Sequence, residues 1–194
     1  MIKRQMPKRL VGLTGNIASG KSTVLACLAR CGAQTFSCDE LVRELYQTEP
    51  VKRWLKKQFN TTRPAEIAQV VFNSSAARKK LERFLHPQVW ALVQKRLAAG
   101  KAAWAVLEVP LLFESGWHKR MDLTVLVAAS EKTLTKRLRA RGLSKALYEA
   151  RLKTQLPQEE KVRLADVVLL NESTKQILAA KTKRLYEALE TFYV

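Results

Sequence analysis

The chain has 194 residues, 47% of them apolar and 27% charged, a composition that suits one globular domain with a real core. No apolar run approaches the ~18 residues of a membrane span, and the basic stretch 1–9 lacks the apolar region and cleavage site of a secretory leader, so a cytoplasmic protein is expected. Thirty-five basic against 17 acidic residues give a net charge of +18, which raises nucleic acid or a polyphosphate as a partner.

Leu10-Val11-Gly12-Leu13 reads as a short strand buried on both faces. It runs into Gly15-Asn16-Ile17-Ala18-Ser19-Gly20-Lys21-Ser22, which fits G-x-x-x-x-G-K-[ST], the phosphate-binding loop pattern. Residues 22–30 follow with apolar side chains at helical spacing, and Gly32 predicts their stop. Gly15 and Gly20 allow backbone approach that a side chain would block. Successive loop N–H groups, with a helix N-terminus behind them, form an anion site. Lys21 supplies a mobile charge for the β- and γ-phosphates, and the Ser22 hydroxyl suits Mg²⁺. Strand, loop and helix together predict binding of a nucleoside triphosphate.

Residues 33–37 form the next strand candidate, ending at Cys38-Asp39-Glu40 before a helix over 41–46. Asp39 therefore sits at a strand's carboxyl end, the edge where open α/β sheets bind ligands. It is expected as a helix N-cap, a reacting carboxylate, or both. Cys27, Cys31 and Cys38 have neither a CxxC pair nor a nearby His, so buried, reduced thiols are expected rather than a metal site. Residues 41–100 show no clear strand. Helices are predicted over 51–59, 65–72 and 76–99, with Pro87 starting a new helix or kinking the old one. This helical insertion is the natural place for an acceptor-binding lobe.

Residues 102–109 read as a central strand with Glu108 near its end. Two readings of Glu108 stay open: it helps hold the water shell of Mg²⁺ opposite Ser22, or it is a partly exposed carboxylate at a strand end. Residues 110–116 are too apolar for an ordinary exposed loop and are expected to pack against a ligand or the insertion. A strand over 122–129 leads to a helix carrying Lys132, Lys136, Arg137, Arg139 and Arg141 and ending at Gly142. Helices over 148–155 and 159–164, a last strand over 166–170 closed by Asn171, and a final helix over 174–192 complete the chain. Five short strands alternating with helices predict a parallel sheet covered on both faces. The basic clusters are spread over several helices and aromatics are 7%. That fits a solvated basic surface, or a field that draws small polyphosphates, better than a nucleic-acid stripe.

Four further groups of residues narrow the class: Ser37-Cys38-Asp39 with Leu41; Phe72, Leu81-Glu82 and Leu85-His86-Pro87; Val109-Pro110-Leu111-Leu112-Phe113-Glu114; and Arg151, Gln155, Lys161, Ala165-Asp166 and Asn171. Together with residues 11–23 they make the chain resemble the dephospho-coenzyme A kinase family over essentially its whole length. The phosphate loop alone is generic; Leu-His-Pro followed by Val-Pro-Leu-Leu-Phe-Glu is specific.

The resemblance implies a three-layer P-loop NTPase fold with a five-stranded parallel sheet, a helical substrate lobe and a helical lid. The nucleotide core would be 1–40, 101–137 and 166–194, the acceptor lobe 41–100 and the lid 138–165. It implies transfer of the γ-phosphoryl of ATP to the ribose 3′-hydroxyl of dephospho-coenzyme A, with Mg²⁺. ATP would be held by Gly15, Asn16, Ile17, Ala18, Ser19, Gly20, Lys21, Ser22 and Thr23, with Arg137, Arg141, Arg151 and Arg163 closing on the phosphates. Asp39 would take the proton of the acceptor hydroxyl, and Lys21 would steady the transferred group. Leu85, His86, Pro87, Pro110, Leu111, Leu112, Phe113 and Glu114 would meet the acceptor. Mg²⁺ would sit on Ser22, with Asp39 or Glu108 acting through water. A monomer or weak oligomer is expected. The family's loop usually reads Gly-Gly-Ile-Gly-Ser-Gly-Lys-Ser, so Asn16 and Ala18 replace two glycines here. Both are variable positions, and phosphate binding is expected to survive provided Ala18 keeps a negative φ. Other readings are a different nucleotide kinase of the same class, or a nucleic-acid-dependent ATPase.

Overall fold

A computed structural model describes residues 9–140, 142 and 154–192. The predicted strands form one sheet: β1 (Arg9–Thr14), β2 (Gln34–Ser37), β3 (Trp104–Glu108), β4 (Leu123–Ala128) and β5 (Val167–Leu170), in the order β2-β3-β1-β4-β5. The pairs β1–β3, β1–β4 and β4–β5 are parallel. β1 is central and its exposed fraction is near zero at Val11 and Leu13, which explains an apolar run without polar alternation.

Period-two geometry sorts the sheet's side chains onto two faces. Val11, Leu13, Trp104, Val106, Val125, Val127 and Leu169 share one face. It is covered by Val24 and Leu28 of α1 (Lys21–Arg30) and by Leu178 and Leu189 of the C-terminal helix Lys175–Phe192. On the other face a Cβ added to Gly12 would lie 2.8 Å from Met121 Cγ and 2.9 Å from Leu112 Cδ2. Glycine here makes room for the loop that follows β3. Two aspartates lock strand ends: Asp122 Oδ2 accepts the Leu10 N–H at 2.6 Å, and Asp166 Oδ2 accepts the Thr124 N–H at 2.8 Å.

The chain divides into two compact units, Met1–Phe36 with Lys101–Val194, and Ser37–Gly100. The second unit is helical throughout: α2 (Cys38–Leu45), α3 (Glu49–Phe59), α4 (Pro64–Asn73) and α5 (Ser75–Ala99). Within it α5 packs on α2 and α4, and the Trp54 and Phe84 rings stack at 3.8 Å. An ion pair joins Arg96 of α5 to Glu44 of α2. Pro87 does not start a new helix, because α5 runs unbroken for 25 residues. Its packed side chains Leu85, Val89 and Val93 are 5%, 1% and 0% exposed, and the Gln88 side chain donates to the Phe84 carbonyl at 2.9 Å. The apolar face thus holds the helix through the one residue that cannot donate. The thiols are free, but only Cys27 is buried; Cys31 and Cys38 are half-buried.

In the first unit a 3₁₀ turn (Trp117–Arg120) and the helices α6 (Glu131–Ala140), α7 (Gln158–Leu164) and α8 (Lys175–Phe192) complete the described helices. The helix predicted over 148–155 lies almost wholly outside the described residues. Gly12→Val is expected to lower unfolding free energy by about 1–3 kcal/mol through overpacking against Leu112 and Met121, read from urea denaturation; an unchanged midpoint would contradict this packing.

Candidate phosphate-binding site

β1 delivers the chain to residues 15–20 at its carboxyl end, between β3 and β4. The chain reverses its lateral direction across the sheet there, which places a crevice at that edge. The loop is pressed onto its surroundings. Gly15 has φ 150°, and a Cβ on it would lie 2.3 Å from the Val127 carbonyl oxygen. Gly20 has φ 109°, and a Cβ on it would lie 2.4 Å from Asn171 Nδ2. The pattern's two fixed glycines are therefore demanded by sterics at both ends. Lys21 Nζ folds back over the loop and donates to the carbonyls of Gly15 at 2.8 Å and Asn16 at 3.1 Å. Its charge is held above a helix N-terminus, the place an anion would occupy.

Ala18 departs from expectation: its φ is +64°. A left-handed conformation costs a non-glycine residue about 1–2 kcal/mol. The surroundings hold it there. Its methyl is buried against Leu138 of α6 and Ile17, and Arg137 Nη1 lies 3.5 Å from the carbonyls of both Ala18 and Ser19. The position keeps the geometry that glycine would adopt, at the expense of local strain.

The loop is stitched from behind by residues far away in sequence. Asn171 Nδ2 donates to the Ser19 carbonyl at 2.6 Å. Arg137 Nη2 donates to the Asn171 carbonyl at 3.0 Å, to Asn171 Oδ1 at 3.2 Å and to the Ser173 carbonyl at 3.2 Å. Arg137 is thus committed to backbone carbonyls beside the loop, rather than being extended over it. Glu172 anchors the helix that carries Arg137. Its carboxylate accepts from the Ser130 N–H, the Ser130 hydroxyl and the Thr133 hydroxyl, while the Ser130 hydroxyl oxygen accepts the Thr133 N–H, one of the orphan donors of the first turn. The Thr133 hydroxyl, with the Ser130 amide next, holds the Glu172 carboxyl below its usual range. On the other side, fully buried Lys161 of α7 donates to Asn16 Oδ1 at 3.1 Å and Gln155 Oε1 at 2.9 Å, and pairs with Glu114 Oε1 at 3.4 Å. Burial pushes the Lys161 ammonium pKa down, and Glu114 opposes that shift.

The remaining predicted residues fall as follows. Ser22 is exposed and Thr23 half-buried in the first turn of α1. Glu108 is half-buried at the end of β3, in register with Leu13. Pro110 and Leu111 are half-buried, and the Pro110 carbonyl accepts from Thr14 Oγ1 at 3.3 Å. Leu112 and Phe113 are 0% and 6% exposed. Leu112 fills the space beneath Gly12, and the Phe113 ring lies against that of His118 with centroids 5.4 Å apart. Arg163 is exposed on α7; Arg141 and Arg151 lie outside the described residues. In the second unit Asp39 is exposed in the first turn of α2, with Ser37 preceding the helix, so it is not the N-cap. Leu85 is buried, His86 half-buried and Pro87 exposed on α5. Asn171, Glu172 and Lys161 escaped a role in the sequence reading, although Asn171 and Lys161 belong to the family-like residues.

The oxygen donors near the loop, the Ser22 hydroxyl and the Glu108 carboxylate, are hard ligands that fit Mg²⁺. Among the described residues no group of three or more His, Cys, Asp or Glu is placed to hold a metal alone. A metal here would take most of its ligands from phosphate and water, as Mg²⁺ does in phosphoryl-transfer sites.

A parallel five-stranded sheet with a glycine-flanked phosphate loop at the end of its central strand defines the P-loop NTPase class. The fold is shared with the shikimate kinase of Bacteroides thetaiotaomicron, TM-score 0.53 at 15% identity over 94% of this chain and 98% of that one. More closely, the dephospho-CoA kinase family model matches residues 9–176. The dephospho-CoA kinase of Thermus thermophilus is 36% identical over 185 residues, 93% of this chain and 91% of its own. The crystal structure of TT1252 from Thermus thermophilus has a TM-score of 0.85 at 34% identity, covering 96% of this chain and 99% of that one. The chain belongs to the dephospho-CoA kinase family.

Asn171→Ala is expected to lower stability by about 1–3 kcal/mol, since the Ser19 carbonyl and Arg137 lose a buried partner, whereas Lys21→Ala is expected to leave the urea midpoint nearly unchanged and to weaken ATP binding at least ~10-fold. Titration of ATP beside urea unfolding checks both; unchanged ATP affinity in Lys21→Ala would refute the loop assignment. Because Glu172 has a lowered pKa in the fold, it adds stability above its unfolded value of about 4.3. That increment is lost as pH falls through the lower folded value. Glu172→Gln is therefore expected to flatten the acid limb of the stability–pH curve and to leave its slope near neutrality unchanged.

Proposed function

We propose that this chain transfers the γ-phosphoryl of ATP to the ribose 3′-hydroxyl of dephospho-coenzyme A, giving coenzyme A and ADP, the final step of coenzyme A synthesis. The observation that carries the reading is the family match over residues 9–176, which spans the phosphate loop and the whole helical unit Ser37–Gly100. The loop alone supports only triphosphate binding. No helix among the described residues is long and apolar enough to cross a membrane, which agrees with a small-molecule enzyme working in the cytoplasm.

Phosphoryl transfer is largely positioning and charge neutralisation. The amides of residues 15–23 cradle the β- and γ-phosphates, and Lys21 shifts from the loop carbonyls onto the γ-phosphate. Mg²⁺, on Ser22 and through water on Glu108 or Asp39, would neutralise phosphate charge when bound. The 3′-hydroxyl oxygen attacks Pγ, the Pγ–O–Pβ bond breaks, and ADP leaves with that oxygen. Asp39, exposed in the first turn of α2, takes the hydroxyl proton as general base. Arg163, with Arg141 and Arg151, closes on the phosphates and excludes water that would hydrolyse ATP. Arg137 supports the loop from the backbone side. His86 and Pro87 of α5, with Pro110 and Leu111, meet the acceptor, while Leu85 is buried.

The reading is tested by coupled ADP release with dephospho-coenzyme A and with nucleoside monophosphates as alternative acceptors. ADP formation with dephospho-coenzyme A and a 3′-phosphorylated product supports it; faster turnover of a monophosphate replaces it with a nucleotide kinase. Asp39→Asn is expected to lower kcat at least ~10²-fold with ATP affinity within about threefold of the parent. A near-normal kcat removes Asp39 from the base role.

A further inference from the structure

Lys161 has no part in the chemistry above, yet its side chain is 0% exposed. Its neighbours on α7, Glu159, Glu160 and Arg163, are exposed. An ammonium taken out of water costs several kcal/mol unless its protons are paired, and an apolar side chain of similar volume is often as stable or more so. A lysine is therefore a poor choice at this position for packing alone. Its three protons match three acceptors on separate segments: Asn16 Oδ1, Gln155 Oε1 and Glu114 Oε1. Glu114 Oε1 also accepts the Leu156 N–H at 2.8 Å, which fixes the pair's own geometry.

Asn16 is the joint between this buried pair and the phosphate loop. Its side-chain oxygen faces Lys161, while its main-chain oxygen accepts Lys21 Nζ at 3.1 Å and the Ser19 N–H at 3.1 Å. One residue thus connects a lysine inside the protein to the lysine above the loop. Asn16 is 6% exposed, so its amide has little room to turn and find other partners. Because Glu114 offsets the Lys161 charge, the pair exerts little field at a distance; its influence runs through the hydrogen bond. Where the family's usual loop carries glycine at this position, no side chain would reach Lys161, so the connection belongs to this chain's own sequence.

We infer that Lys161 is a positioning residue for phosphoryl transfer: acting through Asn16, it fixes the first half of the phosphate loop, and with it Lys21, in the geometry that receives ATP. The inference rests on the reading of the loop as the ATP site, and does not depend on which acceptor is used.

The test pairs Asn16→Leu, which keeps volume and removes the acceptor, with Asn16→Asp, which keeps an acceptor at the same place, and adds Lys161→Met and the double variant Asn16→Leu/Lys161→Met. Each is titrated with ATP by calorimetry, assayed for KM of ATP and of the acceptor, and melted. Asn16→Leu is expected to weaken ATP binding ~10-fold or more, the scale of losing a hydrogen bond to a charged group. The acceptor KM is expected to stay within about twofold, and Asn16→Asp to recover ATP affinity to within about threefold. Lys161→Met is expected to reproduce the ATP defect, and the double variant to be no worse than the worse single one, since both cut the same connection. Multiplicative losses in the double variant overturn the inference. So does a lowered Tm with ATP affinity unchanged in Asn16→Leu, the signature of a role in folding only. If Lys161→Met does not fold, Asn16→Leu and Asn16→Asp decide alone, because both leave the Lys161–Glu114 pair in place. Calorimetric ATP binding needs no acceptor, so a failed acceptor assay with intact ATP effects faults the proposed substrate and leaves the relay standing.

Discussion

A loop that offers its N–H groups to phosphate must find other partners for its carbonyls. Backbone oxygens left unpaired in a buried loop cost free energy comparable to a lost hydrogen bond each. Those of Ser19 and Ala18 are met from behind, Ser19 by Asn171 and both by Arg137, while Lys21 reaches those of Gly15 and Asn16 from the open side. This requirement organises the first unit. β1 must be central so that β3 and β4 flank its carboxyl end. The segment after β5 must pass under the loop to bring Asn171 there. α6 must be pinned at its start by Glu172 so that Arg137 arrives at the right height. The site is therefore a small piece of backbone held by a large polar scaffold, consistent with electrostatic preorganisation as the main source of catalysis in such enzymes.

The same scaffold explains how the loop tolerates its two departures from glycine. Ala18 keeps a positive φ because Leu138 and Ile17 enclose its methyl while Arg137 reaches its carbonyl. Strain of this kind persists where surrounding contacts over-determine the conformation. Asn16 uses its side chain productively, as the acceptor for a buried ammonium. In both cases the added atoms face the protein interior, and the phosphate side keeps the shape that glycine would give it.

The sheet was legible because β1, β3, β4 and β5 are short apolar runs between polar breaks, with β1, β3 and β4 buried on both faces, whereas β2 has Phe36 as its one apolar residue. The loop was legible because sterics at Gly15 and Gly20 leave few alternatives. The scaffold was harder to see. Asn171 meets Ser19 across 152 residues and Lys161 meets Asn16 across 145, and no local periodicity reports such pairs. Lys161 lies in a charged helix and reads as a surface residue; only the fold reveals its burial. Pro87 is local evidence for a break, which the apolar face of α5 overrides. The apolar stretch 110–116 stands out in the sequence, but only the fold shows that Gly12 opens a slot for Leu112 beneath it.

The loop is built before the nucleotide arrives. Backbone ¹⁵N order parameters for residues 15–20, measured without and with ATP, decide the point. Values near 0.85 in the free protein, equal to those of β1 and α1 and little changed by ATP, are predicted. Values below about 0.6 that rise only when ATP binds would contradict it, and would mean that the nucleotide, rather than Asn171, Arg137 and Lys161, shapes its own site.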